Sequence, residues 1–211
     1  MNGRDRLRTK LFERVNRAYL ADRPALTILR ARAFLAQFPT YGPAWHRLTQ
    51  MLIRLRHFDA AEQALNTAIE HCPTNHLRFP YSTMGELFKE KGKYHLAEEW
   101  NRKTIEIAPN DCIGYVFLGG LLATQGRLVE AEEAHRHGIK CTEGCIDEAY
   151  LNLGYVIRAQ GRFKEAAECF EEAITRDPDY TPAKVALRDV TSCLLEIDDR
   201  IAHAPGEWPW S

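Results

Sequence analysis

Four residues of zinc-ligand type follow one another in this chain as H-x-H-x3-C-x3-C: His135, His137, Cys141 and Cys145. Imidazole and thiolate are the donors that a tetrahedral zinc site uses. The spacing is looser than that of paired metal ligands, and His135 falls on a core-facing position of the periodic pattern described below, so no metal is expected. Carboxylate pairs such as Glu132 with Glu133 and Glu171 with Glu172 read as solvated helix faces rather than acid–base machinery. The sequence has no phosphate-cradling glycine loop, dinucleotide fingerprint, nucleophile elbow or HExxH. A non-catalytic protein without a cofactor is the expectation. Cys169 and Cys193 lie among apolar helix positions and are expected to be buried small hydrophobes.

The 211 residues are 45% apolar and 27% charged, enough to bury a sizeable core and stay in water. No apolar run approaches the roughly 18 residues of a membrane span. The amino-terminal MNGRDRLRTK is charged but has no apolar block after it, so no export signal is read. Six cysteines are too sparse for a disulfide scaffold, which suits reduced thiols and a cytoplasmic location. The net charge of −1 argues against nucleic acid as a general partner, yet it is unevenly spread. Residues 1–32 carry nine basic groups against three acids, a net of +6 that leaves −7 for residues 33–211. A basic segment on an acidic body can attract RNA, an anionic surface or another copy head to tail, or can be a solvated arginine face.

The elements come from a repeat. Four segments, starting at Gly42, Arg78, Cys112 and Asp147, superpose with spacings of 36, 34 and 35 residues. Position 4 is aromatic (Trp45, Tyr81, Tyr115, Tyr150), and position 7 is Leu48, Met84, Leu118 and Leu153. Position 8 is Thr49, Gly85, Gly119 and Gly154, and position 11 is Leu52, Phe88, Leu122 and Ile157. Position 20 is always alanine (Ala61, Ala97, Ala131, Ala166), and position 32 is Pro73, Pro109, Glu143 and Pro178. Apolar residues at 4, 7 and 11 make one helical stripe, and those near 20, 24 and 27 make a second. Gly92, Gly126 and Gly161 mark the tight reversal between them, and proline at 32 stops the second helix. Small residues at 8 and 20 are expected to let the two backbones approach, with the large residue at 4 filling the space beside them. An apolar face left open on each pair requires neighbours to stack.

These residues resemble the tetratricopeptide repeat family. The fullest match is DEAYLNLGYVIRAQGRFKEAAECFEEAITRDPDY at 147–180, through Tyr150, Leu153, Gly154, Ala166, Phe170, Ala173 and Pro178. The resemblance implies an all-α, right-handed α-α superhelix of about five helix pairs plus a C-terminal capping helix. Thr49 at position 8, Arg56 at the turn and Gly138 at 27 depart from the pattern and are expected to loosen packing locally. The expected division is 1–41 as a basic, degenerate first repeat; repeats at 42–77, 78–111, 112–146 and 147–180; a capping helix at 181–202; and an extended tail at 203–211 with Trp208 and Trp210.

The resemblance also implies a binding role through a concave groove lined by positions 2, 5, 9, 12 and 13 of each first helix. In this chain the candidates are His46, Gln50 and Arg54, then Phe79, Glu86 and Lys89, then Ile113, Val116 and Gly120, then Leu151, Tyr155 and Arg158. An apolar strip through Ile113, Val116, Leu151 and Tyr155, rimmed by Arg54, Lys89 and Arg158, suits a peptide or helical segment with apolar anchors and some acidic character; the bland alternative is packing against a neighbouring helix. The carboxylate clamp of chaperone-binding members does not carry over: its positions hold His46, Gln50, Thr83, Ile113 and Phe117, or one repeat on Ser82, Glu86, Phe117, Glu148 and Asn152. Neither set pairs cations as a terminal carboxylate requires. The expected function is a protein–protein adaptor or scaffold. Self-association through the first helices, the cap or the tail is one alternative, and RNA contact through residues 4–32 is another.

Overall fold

The computed structural model describes residues 3–203. It is all-α, with eleven α-helices among those residues: α1 (Gly3–Leu20), α2 (Pro24–Leu35), α3 (Gly42–Arg54), α4 (Phe58–His71), α5 (Arg78–Glu90), α6 (Tyr94–Ile107), α7 (Ile113–Thr124), α8 (Leu128–Gly138), α9 (Ile146–Ala159), α10 (Phe163–Arg176) and α11 (Thr181–His203). Two compact units divide the chain, α1–α6 ending at Pro109 and α7–α11 beginning at Asn110. α11 runs to His203, one residue into the segment expected to be extended; the tryptophan tail lies outside the described residues.

Five reversals between paired helices use one device. Asp22, Arg56, Gly92, Gly126 and Gly161 have φ of 51°, 59°, 70°, 74° and 80°. In each, the amide of the following residue reaches back to a carbonyl five residues earlier, as in His57 N to Leu52 O at 2.8 Å and Lys93 N to Phe88 O at 2.8 Å. That backbone bond satisfies a carbonyl a helix end would otherwise leave open. Arg56 therefore keeps the turn rather than loosening it, at the steric cost a Cβ pays in the left-handed region. Arg56→Gly should raise stability by about 1 kcal/mol, read as a higher urea midpoint with an unchanged slope.

Position 20 is sealed in every repeat: Ala61, Ala97, Ala131 and Ala166 are each 0% exposed. The space over position 8 is filled differently from expectation. A Cβ on Gly85 would meet the Asn101 amide, one on Gly119 the His135 ring, and one on Gly154 the Phe170 ring. These partners all stand at position 24, whereas Tyr81 and Tyr115 at position 4 meet other rings of the second helix. Tyr81 meets Trp100 edge-on at 5.1 Å, and Tyr115 stacks on His137 at 5.8 Å. Thr49 does not loosen its repeat: it is fully buried, and its hydroxyl donates to Trp45 O at 2.8 Å. Gly138 is likewise close-packed, with a Cβ placed 3.3 Å from that of Tyr115.

The end of the 112–146 repeat, which has Glu143 where the other three have proline, uses the freed amide. α8 stops at Gly138, and Glu143 N donates to Asn110 O at 3.0 Å while Cys112 N donates to Glu143 O at 3.0 Å. Proline could not make the first of these bonds. On the other face of the second unit, Glu132 accepts from Arg136 at 2.8 Å and Arg162 at 2.7 Å, and both arginines also reach Glu165, joining α8 to α10.

Candidate binding grooves

Position 5 turns inward. Val116 is 8% exposed and packs with Cys112 and Ala149, and Leu151 is 6% exposed in the cluster that includes Phe170, Ala183 and Ala186. Neither lines an open strip, because within the second unit α7 packs on α9 and α9 on α11. His46, at the same position in α3, is half-buried against α5, with Nδ1 2.7 Å from Thr83 Oγ1. Thr83 spends its hydroxyl hydrogen on Phe79 O at 2.8 Å, so His46 Nδ1 is the donor. Burial first, and Arg47 second, push the His46 ring down to about 4.

In the first unit the positions left open are largely spoken for. Gln50 Oε1 accepts from Tyr19 Oη at 2.9 Å, and the Arg47 guanidinium lies 4.1 Å from the Tyr19 ring. Arg54, expected on the groove rim, is bound to Asp22 at 2.6 Å. Phe79 faces the His46 ring at 6.0 Å, with Arg78 over its own ring at 4.9 Å. Glu86 is half-buried with Oε2 unpartnered, and burial, reinforced by Glu90, pushes its carboxyl up. Lys89 is half-buried nearby on α5.

The second unit holds an open groove. Tyr155 and Arg158 of α9 line a cavity of about 650 Å³ with Val185, Arg188, Asp189 and Ser192 of α11. Arg158 lies 5.2 Å over the Tyr155 ring and pairs with Asp189 at 2.7 Å. Val185 is 51% exposed because no described helix covers α11 as α9 covers Val116. The repeat pattern alone reads α11 as a cap. Counting on from Asp147 by one repeat puts Val185, Asp189 and Ser192 at positions 5, 9 and 12, so the same template contains the signal. Ile113 is half-buried, and Gly120 faces open space, where an added methyl would meet nothing within 4 Å.

The zinc-type residues do different work. His135 is 1% exposed under Gly119, His137 stacks on Tyr115, and the Cys141 thiol donates to His137 O at 3.6 Å. Cys169 is buried and Cys193 half-buried. No described helix is long and apolar enough to cross a membrane.

Helical hairpins with a left-handed turn, a sealed alanine and a close-approach glycine define a helical-repeat protein. The family model described as tetratricopeptide repeat matches residues 147–180, so the chain contains a tetratricopeptide repeat. It is 24% identical over 157 residues to a TPR repeat-containing protein, MJ1428, of Methanocaldococcus jannaschii, covering 74% of this chain and 27% of that one. The chain thus spans about a quarter of that relative's length. Among solved structures, the TPR protein TTC0263 of Thermus thermophilus superposes with a TM-score of 0.68 at 16% identity, over 87% of this chain and 98% of that one. YrrB, a TPR protein with an unusual peptide-binding site, gives 0.51 at 16% identity over 82% and 88%.

Proposed function

We propose that the chain is a non-catalytic adaptor whose second unit binds a peptide or helical segment of a partner protein between α9 and α11. The 650 Å³ cavity carries this reading. Its wall combines the Tyr155 ring and the exposed Val185 with Arg188, an exposed cation, beside the Arg158–Asp189 pair. A segment with one bulky apolar anchor and a neighbouring carboxylate satisfies both kinds of surface. The peptide-binding site of YrrB, a protein alike in fold, is consistent with such a use.

An array of synthetic 12-residue peptides, varying an apolar anchor and adjacent acids, tests this by fluorescence polarisation. Binders should lose at least about tenfold in affinity on Tyr155→Ala or Val185→Asp, equivalent to about 1.4 kcal/mol. Val129→Asp, at a site 78% exposed on α8, should leave affinity unchanged. Equal binding by all three variants would remove the groove from the explanation.

A further inference from the structure

The basic hairpin α1–α2 presents an apolar face on which no described element packs. Leu7 is 46% and Leu29 67% exposed, and Leu11, Ala33 and Phe34 line a slot of about 110 Å³ with Arg14 and Arg30. Around it, Arg6, Lys10, Arg14, Arg17 and Arg32 are exposed, and among the described residues none of them holds a carboxylate. Four arginines of the second unit behave otherwise: Arg136, Arg158, Arg162 and Arg176 each hold one.

α11 offers the complement. It has 23 residues, about 34 Å at the helical rise, whereas α10, its main packing partner, has 14 and reaches about 21 Å. Leu187, Val190 and Leu194 pack into the core of that unit, but Leu195 is 67% exposed and Glu196 is exposed beside it. The sequence there, LLEIDD at 194–199, joins apolar residues to three acids.

We infer that α11 of one copy docks through its Leu195–Glu196 turn across α1–α2 of another, Leu195 entering the Leu11–Ala33 slot and Glu196 meeting the cations around it. The contact uses two different surfaces, so it is head to tail and adds copies as concentration rises. It depends on exposed charges, so salt weakens it. The peptide groove is not involved, and either reading can fail alone.

Sedimentation velocity of the full chain over a concentration series decides the matter. The weight-average mass should climb above 24.2 kDa with concentration and fall back between about 0.05 and 0.5 M salt. Lys10→Glu with Arg14→Glu should abolish the climb, as should Glu196→Arg. Mixing the two reversed chains should restore a complex, which a misfolded variant could not do. A wild-type chain that stays at 24.2 kDa throughout overturns the proposal. So does association indifferent to both reversals, or capture of the basic face by anionic vesicles or RNA without self-association.

Discussion

Gly119→Ala should destabilise the chain by about 2–3 kcal/mol, whereas Gly120→Ala, one residue along the same helix, should stabilise it by up to about 1 kcal/mol. An added Cβ at 119 comes within 2.5 Å of the His135 ring, which is 1% exposed and has nowhere to retreat. At 120 the methyl meets nothing within 4 Å, so only the backbone gain remains. Gly154→Ala should behave like Gly119→Ala, since the Phe170 ring covers it and is 0% exposed. Urea midpoints of the purified variants check all three, and equal effects at 119 and 120 would refute the pairing of positions 8 and 24.

Acidification should cost this chain stability well above the ordinary carboxylate range, through His46 and His135, of which His135 is the more fully enclosed. Its Nδ1 is buried without a partner, and burial pushes the ring from 6.5 down to about 4. The folded state then holds the neutral ring while the unfolded chain takes up a proton. Stability is complete above about pH 6.5, declines as pH falls, and is lost progressively until about pH 4. The two values bound the loss at on the order of 3 kcal/mol from this residue. Glu86 and Glu148, whose carboxyls burial pushes up, act in the opposite direction: protonating them favours the folded state as pH falls. His135→Phe isolates the histidine, because the carboxyls are unchanged and Phe170 shows that a ring of that size sits over a position-8 glycine. The variant should match or exceed wild type at about pH 7.5 and exceed it by a wider margin at about pH 4.5. A margin that does not widen would mean the ring is already charged in the fold.

The repeat was legible because its constraints recur as residue types. Alanine at position 20, an aromatic residue at 4 and proline near the end can be seen without coordinates. The 8–24 contact was hidden because position 24 holds Leu65, Asn101, His135 and Phe170, which share bulk and placement but no chemistry. Periodicity also put Val116 and Leu151 on the first-helix face without showing that the next helix closes over them. Val185 repeats their position on α11, yet it stays open because no described helix follows. Whether a position binds or packs was thus decided by neighbour number, which no single segment displays. Arg56 and Asp22 show the converse case: the turn geometry is set by backbone bonds and persists without glycine.

Those turns also rank the hairpins by ease of opening. The first two reversals place a side chain in the left-handed region, at Asp22 and Arg56, whereas the last three use glycine, which adopts it without that strain. Each hairpin of a repeat array leans mainly on its immediate neighbours, so a strained turn lowers the barrier to fraying nearby rather than everywhere. Amide protons of α1–α4 should accordingly exchange with solvent deuterium ahead of those in α9 and α10.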